Sequence, residues 1–247
     1  MAKAPKIILF DIETSFMLTR TFTLYPEAIN PNGIVKDWFM ICAAWKELGK
    51  KTVHATSIND FKRKSDIDDS GVVKTLRDAL AEADIIIGHN SDAFDVKKLN
   101  SRIIYHRLPP LPKIIQLDTL KEVKKVAKFS SHRLDYLGKL LLGHGKLPTS
   151  SGLWDRATDG DRAAVKEMVK YNKVDVVRLE ELYNVFLPYM KSHPHVGAYT
   201  HDRNMSCKHC GSTDIKRNGY RFTASGLKKQ EIQCKSCHSY SLIPLKK

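Results

Sequence analysis

The chain has 247 residues, 42% of them hydrophobic, enough to bury one full core and a small appendage rather than several large domains. Its 41 Lys and Arg against 27 Asp and Glu give a formal charge of +14, an excess that points to a polyanionic partner, either nucleic acid or an acidic lipid surface. No apolar stretch has the length needed to cross a bilayer, and the N-terminal Met-Ala-Lys-Ala-Pro-Lys leads into an apolar run rather than a signal-peptide core, so a soluble cytoplasmic protein without a membrane partner is expected.

In chain order, residues 6–10, 38–46, 51–57, 84–88 and 113–117 are short apolar or alternating runs bounded by polar or turn residues, the pattern of strands. Apolar residues at three- and four-residue spacing predict helices over 72–83, 93–106, 118–127, 133–142, 162–170 and 174–190. Three strands in succession, then strand and helix in alternation, then a helical section indicate an α/β domain over residues 1–193, with a mixed sheet flanked by helices. Ser192-His193-Pro194-His195-Val196-Gly197 breaks the last helix, and residues 194–205 lack an apolar period, so they read as a linker. Residues 206–247 form a second, smaller module. From Pro194 onward 10 Lys and Arg face 3 Asp and Glu, which makes this end the more densely basic.

The first strand runs into Phe10-Asp11-Ile12-Glu13-Thr14-Ser15. Strand alternation projects Asp11 and Glu13 to one side at its C-terminal end. Two like charges side by side are costly unless they share a cation, and oxygen ligands suit Mg²⁺ or Mn²⁺, although a strand edge that simply surfaces would also account for the pair. A second apolar run ends in Gly88-His89-Asn90 and opens a helix near Asp95, at the strand end where ligand sites of open α/β sheets form. Taken alone, Asp95 also fits a helix start favoured by the macrodipole, and Asn90 and Asp92 share that ambiguity. Further on, Tyr171 and Asp175 stand four apart on one helical face, as a half-buried surface helix would also place them.

Together F-D-I-E-T, G-H-N-x-x-x-F-D-x-x-x-L (Gly88 to Leu99) and Y-N-x-x-D resemble the three exonuclease motifs of the DEDD superfamily, the ribonuclease H-like 3′→5′ exonucleases that include proofreading domains. The segment from Leu134 to Lys146 is similar to the one between the second and third motifs in the exonuclease domain of family B DNA polymerases and related stand-alone exonucleases. The resemblance spans about residues 5 to 190 and implies a ribonuclease H-like fold. Tyr171 stands four residues before Asp175, and the position five before it is Lys170 rather than His, which matches the tyrosine branch. The resemblance implies that Asp11, Glu13, Asp95 and Asp175 hold two Mg²⁺ or Mn²⁺ ions and that Tyr171 positions the attacking water. The activity it implies is metal-dependent 3′→5′ exonuclease hydrolysis of DNA by a two-metal mechanism. A phenol with a pKa of about 10 suits orienting a water better than acting as a base. Asp118 reads as a helix cap and His89 as structural. The stretch after residue 190 is too short for a polymerase domain, so a free-standing nuclease in a bacterial or phage-infected cell is expected. A structure-specific endonuclease, an RNA exonuclease and a non-catalytic nucleic-acid-binding protein on the same fold are the competing readings.

Cys42 lies alone in an apolar run and reads as core, whereas Cys207, Cys210, Cys234 and Cys237 form C-x2-C, 23 intervening residues, C-x2-C. That is the spacing of a four-thiolate structural Zn²⁺ site made of two knuckles, in a segment whose apolar residues are too few for a core of its own. His209 and His238 beside the ligands read as bystanders. Between the knuckles Lys216, Arg217, Tyr220, Arg221, Lys228 and Lys229 lie on an expected hairpin, where interleaved cations and aromatics can track phosphates and stack on bases. With Asn90 they are the candidate nucleic-acid-binding residues. The pattern resembles zinc ribbons of transposase-associated and phage proteins, and a purely structural or protein-binding ribbon is the plain alternative.

Overall fold

The computed structural model describes residues 3–25, 28–145, 147–200 and 205–245, so Lys146, residues 201–204 of the expected linker and residues 246–247 lie outside the described residues. The run Ile7-Ile8-Leu9-Phe10 opens β1 (Ile7–Thr14), which is followed by a short ribbon of β2 (Leu18–Thr19) and β3 (Ile34–Lys36). Next come β4 (Met40–Glu47), β5 (His54–Ser57), α1 (Ser70–Ala81), β6 (Ile85–Gly88), α2 (Asp95–Tyr105) and β7 (Ile115–Asp118). The helices α3 (Thr119–Lys124), α4 (Leu134–Leu142), α5 (Leu153–Thr158) and α6 (Arg162–Phe186) complete the larger part. Three antiparallel strands, β8 (Ile215–Phe222), β9 (Lys228–Cys234) and β10 (Tyr240–Pro244), form the C-terminal sheet in the order β10-β9-β8. No helix among the described residues is long and apolar enough to cross a membrane.

The main sheet is mixed, in the order β5-β4-β1-β6-β7, with β1 antiparallel to β4 and parallel to β6. Alternation along β1 feeds two cores. Ile8, Phe10 and Ile12 pack with Val72, Leu76 and Leu99 of α1 and α2, whereas Ile7 and Leu9 pack with Val176, Leu179, Leu182 and Tyr183 of α6. Asp11 and Glu13 continue the face of Ile7 and Leu9, the side on which α6 lies. They stand where the apolar packing of that face ends.

The residues expected to form two helices, 162–170 and 174–190, form one continuous α6 that ends at Phe186 and tightens into a 3-10 turn over Leu187–Tyr189. The gap between the two expected helices falls on Tyr171-Asn172-Lys173, where Tyr171, Asn172 and the following Asp175 are buried within the helix. Polar side chains turned toward a site interrupt the apolar period without interrupting the hydrogen-bond ladder. The expected strand 51–57 starts only at His54, and the ribbon of β2 and β3 and the helix α5 have no counterpart among the expected elements. Within the expected linker, Val196–Tyr199 forms a 3-10 turn, and the Val196 amide donates to the carbonyl of Lys208 at 2.8 Å.

Candidate active site

The C-terminal ends of β1 and β6 meet α2 and α6 around a cavity of about 780 Å³ that Asp11, Glu13, Asn90, Asp95 and Asp175 help to line. Oxygens of Asp11, Glu13 and Asp175 lie within 4.8 Å of one another. Opposite the first two in the β1–β4 register stand Ala44 and Cys42, small residues that let the carboxylate side of the strand face α6, and the register shifts at Glu13/Thr14. Such an irregularity beside a site re-aims side chains. The Cys42 thiol is pushed well up, first by burial and then by the charges of Glu13 and Asp11. It is inert core.

Asp95 opens α2 and is 4% exposed, with Oδ1 accepting from the Ile12 amide at 3.3 Å. Burial raises its carboxyl to about 6, helped by the charge of Asp118 and opposed by the Ile12 amide and its own. Asp95 lines the cavity of the other three but stands outside their tight oxygen cluster. Four oxygen-donor side chains around one cavity make a set that suits a hard divalent cation.

The loop between β6 and α2 is built to hold this arrangement. A Cβ at Gly88 would meet the Cβ of Ser91 at 2.3 Å, so only glycine fits, and Asn90 takes the left-handed conformation at φ 67°. Asp118 caps α3 by accepting from the amides of Leu120 and Lys121, and it also accepts from those of Asn90 at 2.9 Å and Asp92 at 3.3 Å. It is thus a cap that also pins the neighbouring loop. His89 bridges the Thr119 hydroxyl at 2.9 Å and the His132 carbonyl at 2.7 Å, a structural placement. Lys124, His132 and Arg133 also line the cavity.

On α6 the structure gives a role to Asn172, the motif residue to which the sequence alone assigns none. Asn172 is fully buried and donates from Nδ2 to Asp11 Oδ2 at 2.6 Å, which fixes that carboxylate from behind. Its position three residues before Asp175, on the same helical face, was a readable signal. Tyr171 is buried with its ring edge-on to Trp154, centroids 5.7 Å apart, and it is not among the described residues that line the cavity.

The four C-terminal cysteines converge with Sγ atoms within 4.8 Å of one another, and Cys207–Cys237 and Cys210–Cys234 are each 3.6 Å apart. Bonds of about 2.3 Å in a tetrahedron put sulfurs roughly 3.8 Å apart, so the four fit one Zn²⁺. The residues after the second cysteine of each knuckle, Gly211 and His238, are both left-handed at φ 77° and 61°. The Cys207 thiol is lowered by its neighbours Cys210 and Cys237, and the His209 amide and Ser239 hydroxyl act in the same direction. His209 donates its ring to the structure rather than to the metal set, with Nε2 2.9 Å from the Met190 carbonyl.

The six basic and aromatic ribbon candidates divide between two faces. Pairing and alternation put Lys216, Arg221 and Lys229 on one side of the sheet, whereas Arg217, Tyr220 and Lys228 take the other, where Lys228 Nζ lies 4.4 Å over the Tyr220 ring. The residues of the expected hairpin therefore present two basic faces rather than one.

A family model described as RNase_H superfamily matches residues 39–187, which span β4 through the end of α6 and include Asp95 and Asp175. Asp11 and Glu13 precede the matched span, and the cysteine cluster follows it. No curated protein matches the chain. The match points to a nuclease acting on nucleic acid.

Proposed function

The chain belongs to the RNase H superfamily, and on that premise we propose that it is a metal-dependent 3′→5′ exonuclease that hydrolyses DNA, with Asp11, Glu13, Asp95 and Asp175 as the metal-binding carboxylates. The observation that carries the proposal is the convergence of Asp11, Glu13 and Asp175 within 4.8 Å, beside Asp95 in one cavity, on a chain of formal charge +14. An acidic pocket on a basic surface holds cations while the surrounding charge attracts the polyanion that the cations act on.

The donor set fits two Mg²⁺ or Mn²⁺ ions, which when bound would acidify a water and neutralise charge on the phosphate. Asn172 holds Asp11 in place through Nδ2, and the Ile12 amide holds Asp95. The motif resemblance gives Tyr171, one helical turn before Asp175, the role of orienting the attacking water, a role for which its ring would have to leave its packing on Trp154. Lys124 and Arg133 on the facing wall supply positive charge for the incoming strand. The four cysteines hold a structural Zn²⁺, and the ribbon they fold binds nucleic acid. Polarity and the preference for DNA rest on the resemblance of the three motifs.

The test is divalent-ion-dependent cleavage of end-labelled DNA and RNA, single-stranded and duplex. A 5′-labelled DNA strand should shorten to a ladder from its 3′ end, and Asp11→Ala should abolish this while the protein stays folded. Full activity in that variant removes the assignment, and a single discrete product makes the protein an endonuclease.

A further inference from the structure

A second cavity, of about 580 Å³, lies between the end of α6 with its 3-10 turn and the C-terminal sheet, and it shares no lining residue with the carboxylate cavity. From the helix side it is lined by Tyr189 and Lys191, and from the ribbon side by Lys208, Arg221, Tyr240 and Leu242. The sheet register explains the second group. Leu242 pairs with Glu231, Tyr240 with Gln233 and Arg221 with Lys229, so these side chains share one face by alternation.

Two properties mark this cleft. Tyr189 and Tyr240 are 66% and 55% exposed among the described residues, which leaves their aromatic rings accessible. Lys191, Lys208 and Arg221 stand around them, and among the described lining residues Glu231, which accepts from Arg221 Nε at 3.0 Å, is the one carboxylate. Exposed rings ringed by excess positive charge are what unpaired nucleotides require, since bases stack on the rings while phosphates meet the cations. A peptide or lipid partner would call for a contiguous apolar floor, and here the apolar side chains of Pro188, Met190, Leu242 and Ile243 are interspersed with charged, imidazole and hydroxyl groups. The cleft walls are also fixed to each other through His209 of the first knuckle, whose Nε2 meets the Met190 carbonyl at 2.9 Å and whose ring lies 5.1 Å from that of His193, itself held by Tyr183 of α6 at 2.8 Å.

We propose that the cleft between the end of α6 and the zinc ribbon binds a few nucleotides of single-stranded nucleic acid, with Tyr189 and Tyr240 stacking on bases and Lys191, Lys208 and Arg221 meeting phosphates, as a grip separate from the carboxylate cavity. The inference rests on the nuclease reading for the identity of the polymer.

The experiment measures anisotropy of fluorescein-labelled oligo-dT and oligo-U 20-mers with the full chain carrying Asp11→Asn, so that the probes stay intact. Tyr240→Ala should weaken binding by about fivefold or more, the loss expected for one base stack, and Tyr240→Phe should restore it. Lys191→Gln with Lys208→Gln should reduce the slope of log affinity against log salt by about 1.4, at roughly 0.7 per phosphate contact on single strands. In the chain with Asp11 intact, Tyr240→Ala should raise KM for a 20-mer and leave cleavage of a dinucleotide unchanged. Unchanged affinity and salt slope in both the Tyr240→Ala and the double lysine variants, with zinc content and melting as in the parent, overturn the proposal, as does failure of the parent to bind either probe. If the chain cleaves nothing yet these variants lose binding, the nuclease reading fails and the cleft stands. A difference between the dT and U probes tells whether DNA or RNA occupies it.

Discussion

Asp95→Asn separates the demand of the metal site from the demand of the fold. Asp95 is 4% exposed at the start of α2, and burial raises its carboxyl from the ordinary aspartate value, about 3.9, to about 6. That difference favours the protonated over the ionised form by about 3 kcal/mol, at about 1.36 kcal/mol for each tenfold change in the ionisation equilibrium. Because the folded-state value is raised, the stability linked to this group is fully present below the unfolded value and is lost as pH climbs through about 6. The asparagine keeps an acceptor for the Ile12 amide and never ionises. In protein loaded with zinc but free of Mg²⁺ and Mn²⁺, the variant should match the parent near pH 4 and exceed it by about 3 kcal/mol at pH 8. Urea unfolding at half-unit steps of pH reads this directly. Adding Mg²⁺ or Mn²⁺ at pH 8 should stabilise the parent and close most of the gap, with little effect on the variant, because an ion bound only to the folded state raises its stability by mass action. Parallel curves for the two proteins between pH 4 and pH 8 would refute the reasoning, since they would mean that the buried carboxyl ionises at no cost.

Asn172→Ala removes the donor behind Asp11 and should lower the affinity for the divalent ion or the cleavage rate by about 10–100-fold without a matching loss of melting temperature, measured by titration of Mn²⁺ against activity. Asp69 accepts from Arg102 Nη2 at 2.7 Å and from the Met40 amide at 2.7 Å while almost wholly buried, so Asp69→Ala strands a guanidinium in the core and should cost about 3–5 kcal/mol in urea unfolding. Removal of zinc should expose Cys207, Cys210, Cys234 and Cys237 to a thiol reagent and leave Cys42, fully buried with a raised thiol, unreactive until global unfolding; a fifth thiol reacting at the same rate would contradict the burial of β4.

The parts of the fold that were readable in the sequence are those whose local pattern and tertiary role agree. Ile7-Ile8-Leu9-Phe10 and Ile85-Ile86-Ile87 are buried on both faces, and such strands announce themselves as continuous apolar runs. The convergence of the four cysteines was legible in their spacing, because two C-x2-C knuckles leave few other geometries. The false break in α6 arose where Tyr171, Asn172 and Asp175 occupy core-facing positions with polar atoms. Helix α5 is six residues long and starts after the left-handed Gly152, too short to show a period. The ribbon of β2 and β3 pairs over very few residues and leaves Phe22, Leu24 and Tyr25 in solvent, so its apolar residues signal no core. At the site, Asp11, Glu13 and Asp175 converge as the motifs implied, but Asp95 stands back from the cluster and the Tyr171 ring turns to Trp154. Those two placements depend on which neighbours fill the space around them, and strand or helix spacing carries no information about that.

Helix α6 carries Asp175 midway and belongs, through Tyr183, to the core cluster against which Cys210 and Cys237 of the ribbon pack, with no glycine or proline along its 25 residues. From Asp175 to Phe186 it advances about 17 Å, at ~1.5 Å per residue. A strand stacked at about 3.4 Å per nucleotide covers that distance in roughly five nucleotides. The helix therefore works as a ruler: the interval between the carboxylates and the ribbon is set by a residue count, and deleting two turns from α6 would bring the two together by about 10 Å while keeping the same face inward.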